Sequence, residues 1–147
     1  MSERNRRAVW ITGIGVVTPS GIGLERFRAG LRAGRSPVRR IDRFDPAPFR
    51  SQVAAQIDEF EPLDFMDAKS ARQLDRFSQF ALAAGRLALE DARVVPGRDG
   101  SADRERIGIY LGSALGGIAY AEAQHERYLA RGIRARRNAS RPTSGTP

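Results

Sequence analysis

The hydrophobic positions of this chain fall into short unbroken runs and longer periodic stretches, and their order predicts most of its elements. Residues 8–11 and 107–111 are apolar runs without a charge, the second carrying Ile107, Ile109, Tyr110 and Leu111. Runs of this kind suit strands covered on both faces, as in a parallel sheet. Each leads into glycines that let the backbone turn sharply: T-G-I-G-V-V-T-P-S-G-I-G after the first, and Gly112, Gly116 and Gly117 after the second, with the Ser113 hydroxyl near the next helix start. Helical spacing follows both times. Leu24, Phe27 and Leu31 share one face of a helix that Gly34 should end, and Ile118, Ala121, His125 and Tyr128 line one side of a helix over 117–131. Between them, residues 70–91 give the longest helical signal, with Leu74, Phe77, Ala81, Ala84 and Ala88 in one row and Phe80, Ala83 and Leu87 in a second. That wide, alanine-rich face predicts a central, largely buried helix. Ser70 to Gln73 has capping-box spacing, and Asp67 is the alternative cap one turn earlier.

The remaining stretches interrupt the pattern. Residues 36–49 contain three prolines and read as an ordered loop, with Phe44 and Phe49 as the rings that anchor it in a neighbouring core. Residues 53–57 fit a short strand before an acidic turn, and 96–103 a surface loop. The polar residues 1–7 read as a frayed terminus. Beyond Gly132 periodicity collapses; A-R-R-N-A-S-R-P-T-S-G-T-P has no acid and no large apolar residue. Such a segment buries too little surface to fold. The division expected is therefore a folded α/β segment over 1–133 and a disordered basic tail over 134–147.

Charge narrows the choice of partners. The net charge of +8 is concentrated in residues 131–147, which hold five arginines and no acid, leaving 20 basic against 17 acidic groups in residues 1–130. Lys69 is the only lysine. A basic tail without a reading element does not make a nucleic-acid binder, so none is expected. No run of eighteen apolar residues and no leader-like start is present, so the chain reads as cytoplasmic, without a membrane segment. Zero cysteines exclude disulfides, thiolate metal sites and a thiol nucleophile within this chain.

The candidate chemistry is correspondingly thin. Two strand, glycine-turn, helix units suggest a dinucleotide site, but Thr18 stands where the third glycine after Gly13 and Gly15 belongs, and Gly112 is followed by Leu115 and Gly116. A nucleotide fold is the alternative reading of these units. His125 is the only histidine; Glu122 and Glu126 beside it make a poor metal set, and no metal or cofactor is expected. Asp58 with Glu59 and Glu90 with Asp91 read as solvated charges, and Ser113 has no histidine placed to activate it.

The wording of the sequence adds what spacing lacks. V-W-I-T-G-I-G-V-V-T-P-S-G-I-G at 9–23, A-G-R-S at 33–36, R-F-D-P-A-P-F at 43–49, D-R-F-S-Q-F-A-L-A-A-G-R-L-A-L-E-D-A at 75–92 and I-G-I-Y-L-G-S-A-L-G-G at 107–117 stand in one order. Together they closely resemble the start of β-ketoacyl-acyl-carrier-protein synthases of the type II elongating kind. Related polyketide ketosynthases and their chain-length-factor partners share the motifs. The resemblance implies an incomplete N-terminal portion of a thiolase-like layered fold, in a family of dimers that extend an acyl chain by two carbons in fatty-acid synthesis.

It also implies where chemistry is to be sought. In the family a cysteine receives the acyl group from the carrier protein, and two histidines assist decarboxylation of malonyl-carrier protein. All three lie beyond the matched motifs, so this chain is expected to hold no catalytic residue and to be inactive alone. Leu115 and Gly116 match the turn that borders the acyl pocket; a leucine simply packed on the core fits the sequence as well. Lys69 and Arg72 match positions where basic residues meet the acidic acyl carrier protein, and Gln73 departs from the basic residue of some relatives. After Ile133 the chain leaves the family wording, which suggests a truncated or frameshifted product. The alternative function is a non-catalytic, chain-length-factor-like partner or a carrier-protein-binding fragment.

Overall fold

The computed structural model describes residues 8–95, 97 and 104–132. Among these the chain builds two small antiparallel hairpins and four α-helices. Val17–Thr18 (β1) and Gly21–Ile22 (β2) pair as Val17 with Ile22 and Thr18 with Gly21, and the Thr18 hydroxyl closes the turn by donating to the Gly21 carbonyl at 2.9 Å. Leu24–Arg32 (α1) follows directly and packs on β2. Its last turn ends as expected, with Gly34 in the left-handed conformation at φ 62°.

The proline-containing loop contains a strand that its sequence conceals. Val38–Arg40 (β3) pairs antiparallel with Val53–Ala55 (β4), Arg39 opposite Ala54, and the Ile41 amide extends the ladder to the Gln52 carbonyl at 2.9 Å. The strand expected over 53–57 is thus present in its first half. Two arginines in three residues hide the β signal of β3, and the partner's backbone supplies the order. Phe44 and Phe49 do not enter a core. They meet edge to face at 5.6 Å, and both remain more than half exposed, so the loop is closed on itself.

The long helix expected over 70–91 is two helices. Ala68–Gln73 (α2) ends at Leu74, whose φ of −91° and ψ of 138° are extended, and Arg76–Asp91 (α3) begins after Asp75. Asp67, not the Ser70 box, caps α2: its Oδ1 accepts from the Lys69 and Ser70 amides at 2.9 and 3.0 Å, and the Ser70 hydroxyl donates to Oδ2 at 2.6 Å. The break is stabilised from inside α3. The buried Gln79 donates its Nε2 to the Ala71 and Leu74 carbonyls at 2.8 and 3.2 Å, satisfying acceptors that a continuous helix would have used internally.

The best-packed region lies around the first half of α3. Phe60 is buried, stacked on Phe65 at 5.5 Å and set edge-on against Phe80 at 4.8 Å. The Arg76 guanidinium lies over both the Phe60 and Phe80 rings, and burial pulls its pKa below the ordinary arginine value. Ala83 is fully buried one turn further along. The backbone of the T-G-I-G stretch runs against the far half of α3. A Cβ on Gly15 would stand 1.9 Å from the Ala84 carbonyl oxygen, and one on Gly13 would stand 2.2 Å from that of Ala88. The two glycines serve close helix contact rather than a phosphate.

The two apolar runs correct the parallel-sheet expectation. Residues 8–11 and 107–111 form no strand, and both are exposed, Trp10 to 81% and Tyr110 to 98%. A strand exists only where a neighbour's backbone accepts its hydrogen bonds, and no described segment pairs with either run. Ile118–Arg131 (α4) matches the third helix expected, but its face of Ile118, Ala121, His125 and Tyr128 is exposed rather than packed. Residues 1–7 and 134–147, read as frayed end and tail, lie outside the described residues, as does most of the 96–103 loop.

Candidate functional site

The sequence points to two places, helix α2 and the glycine turn before α4, and the structure brings both to the start of α3. Lys69 and Arg72 lie three residues apart on α2, a spacing that puts them on neighbouring parts of one helical face. Both are exposed, and neither enters an ion pair among the described residues. Two unneutralised cations on one short helix make a local positive field. The Asp67 carboxyl caps the N-terminal end of the same helix, two residues before Lys69, and is held below its ordinary 3.8, chiefly by the Ser70 hydroxyl and then by the Ser70 amide.

The turn is built from residues 112–117. The Gly116 amide donates to the Ser113 hydroxyl at 2.9 Å, so Ser113 closes the turn, and nothing gives it a nucleophile's environment. Gly116 has φ 60°, a conformation that disfavours any side chain, and its α-carbon faces the Phe77 ring, since a Cβ there would lie 3.8 Å from Phe77 Cζ. Leu115 is 76% exposed. Its side chain stands free of the described core.

One residue that sequence reasoning passed over joins the two places. Asp75 caps α3 through Oδ1, which accepts from the Phe77 amide at 3.3 Å, and its Oδ2 accepts from the Tyr120 amide of α4 at 2.9 Å. An aspartate just before an apolar helical row is an N-cap signal, and reading through it as mid-helix hid both roles.

Other charged groups are organised separately. Arg39 bridges Asp42 and Asp58; these bonds raise the arginine's pKa above its ordinary value and hold both carboxyls below 3.8. Arg43 also reaches Asp58, at 3.4 Å. A half-open cavity of about 540 Å³ adjoins this network, lined by Thr18, Ser20, Arg26, Arg39 and Asp58 among others, and it includes none of the predicted site residues. His125 is exposed on α4. Among the described residues no group of three metal-binding side chains occurs, and no helix is long and apolar enough to cross a membrane.

Comparison with known proteins identifies the family. Residues 6–145 match the model of the β-ketoacyl synthase N-terminal domain, a match that runs through the stretch read as a tail. The chain is 37% identical over 129 residues to a 3-oxoacyl-[acyl-carrier-protein] synthase 2 of Coxiella burnetii, covering 88% of this chain and 30% of that protein. It is 46% identical over 117 residues to a putative polyketide beta-ketoacyl synthase 1 of Streptomyces halstedii, covering 79% and 27%. Among solved structures it resembles the ishigamide ketosynthase/chain length factor, with a TM-score of 0.64, 32% identity, and coverage of 83% of this chain and 30% of that one. The chain thus spans less than a third of the length of these relatives. Motifs, fold likeness and the family match over nearly the whole sequence converge, and the chain belongs to the β-ketoacyl synthase N-terminal domain family.

Proposed function

We propose that this chain is the N-terminal part of a 3-oxoacyl-acyl-carrier-protein synthase, contributing carrier-protein docking and one wall of the acyl pocket to a dimeric condensing enzyme. The observation that carries the reading is the 37% identity to a 3-oxoacyl-[acyl-carrier-protein] synthase 2 across 88% of the chain. The parent reaction transfers an acyl group from carrier protein to an enzyme thiol. Decarboxylation of malonyl-carrier protein then gives a carbanion that forms the new carbon–carbon bond and releases the thiol. With no cysteine in the chain, the thiol has to come from elsewhere. The contribution of these residues is binding and shape. Lys69 and Arg72 offer two unpaired cations to an acidic carrier protein, which raises the encounter rate in a salt-sensitive way. The exposed Leu115 at the end of the Gly112–Gly117 turn supplies bulk at the pocket wall.

Three measurements on the 147-residue chain test this. Acyl carrier protein should co-purify with it at low salt and be lost in the double variant K69E/R72E; no binding at low salt refutes the docking assignment. Carrier protein bearing a photoreactive acyl chain should label residues 112–117, and labelling confined to other segments refutes the pocket assignment. Acyl-transfer turnover by the chain alone would overturn the non-catalytic part of the proposal. A second reading, a non-catalytic partner of the chain-length-factor kind, is compatible with the likeness to the solved ketosynthase/chain length factor. Under that reading the chain captures a full-length ketosynthase whether or not Lys69 and Arg72 are reversed.

A further inference from the structure

We infer that Asp75 is a positioning residue that fixes the Leu115–Gly116 turn relative to the helix carrying Lys69 and Arg72, an assignment that rests on the pocket reading for its functional meaning but not for its geometry. Helix α4 has Gly117 as its N-cap residue and therefore no capping side chain to accept from its first turn. The Ile118 amide finds the Gly116 carbonyl at 3.1 Å, and the first regular helical bond runs from the Ala121 amide to the Gly117 carbonyl at 3.0 Å. The Tyr120 amide lies between these and has no partner within its own helix. Asp75, 45 residues earlier, provides it with a carboxylate oxygen at 2.9 Å. The same carboxylate caps its own helix with the other oxygen. One negative charge thus sits at two helix N-termini, where the aligned peptide dipoles favour it.

The approach depends on the glycine. A Cβ on Gly117 would lie 3.1 Å from Asp75 Oδ2 and 3.3 Å from both Asp75 Cβ and Phe77 Cε1, so a side chain there would hold α4 away. On the other side only Leu74 separates Asp75 from α2, and Gln79 ties the α2 carbonyls to α3. Docking helix, central helix and pocket turn therefore meet in one hydrogen-bonded junction, and Asp75 is the member that reaches the turn. Its two acceptor oxygens are the requirement. Serine retains one short acceptor that reaches only the local amide, and asparagine retains one acceptor beside a donor.

Amide hydrogen exchange of the 147-residue chain, resolved by NMR, tests the assignment. In D75S the Tyr120 amide should exchange on the order of tenfold to a hundredfold faster, the range of a bond to a charged acceptor, while the Phe77 amide stays near its parent rate. D75N should likewise leave one of the two amides unprotected and the other unchanged. This split separates positioning from general loss of structure, which would move both amides together. Unchanged exchange at Tyr120, or equal acceleration of both amides in both variants, overturns the proposal. Neither outcome touches the photolabelling of residues 112–117, so failure of the Asp75 assignment and failure of the pocket reading are told apart.

Discussion

Substituting alanine for glycine at two places near α3 should have opposite effects, and the contrast tests how the N-terminal segment is held. At Gly15 the added carbon would stand 1.9 Å from the Ala84 carbonyl oxygen and 2.6 Å from the Ala88 amide nitrogen. Ordinary contact is 3.4–4 Å, so the segment would have to withdraw by about 1.5 Å. The atoms struck are helix backbone, which cannot swing aside as a long side chain does. The withdrawal would also pull on the neighbouring bond from the Ile14 amide to Asp91 Oδ2, now 2.9 Å. Overpacking costs about 1–3 kcal/mol in general, and immobile neighbours place G15A toward the upper end. Gly85 is different. It lies inside α3 with nothing within 4 Å of its virtual Cβ, so alanine there costs no contact and gains helix propensity, roughly 0.5–1 kcal/mol. Urea titration followed by far-ultraviolet circular dichroism should move the midpoint down in G15A and up in G85A, with exchange at the Ile14 amide accelerated only in G15A. A G15A midpoint at or above that of the parent chain would show that the glycine stretch is not packed on α3, and the reasoning would fall.

Two further predictions concern the hairpin and the exposed apolar runs. Because Arg39 holds the Asp42 and Asp58 carboxyls below 3.8, their pairing contributes fully above that value and is lost as pH falls through the lowered one. An NMR titration should find both midpoints below 3.8 and rising in R39Q; midpoints indifferent to that substitution would contradict the bridging role. Trp10 is the sole tryptophan and is largely exposed, so dilute chain should emit at long wavelength and be quenched freely by acrylamide, with blue-shifted emission on self-association. Blue-shifted, quencher-resistant emission in a monomer would refute the placement of residues 8–11.

Where sequence and structure agree, the signals are local. The Leu24 row, the Gly34 terminator, the Asp67 cap and the α4 span are all set by groups a few residues apart, and they are legible for that reason. The family resemblance was legible too, because it lies in the identity of residues in five motifs rather than in their periodicity. The proposed roles of Leu115, Gly116, Lys69 and Arg72 rest on it. Asp75 could not be found through it, since half of its role depends on an amide in another helix.

Composition and local order alone settled α1 and α4, the want of a thiol and the family wording, since helix hydrogen bonds close within a few residues and side-chain identities need no fold to be read. The tertiary structure decided what depends on distant groups. It split the 70–91 signal because Gln79 reaches the α2 carbonyls, paired β3 with β4 across a proline loop, and set Gly13 and Gly15 against the α3 backbone. It left 8–11 and 107–111 outside any sheet, because an apolar run becomes a strand only when another backbone stands beside it.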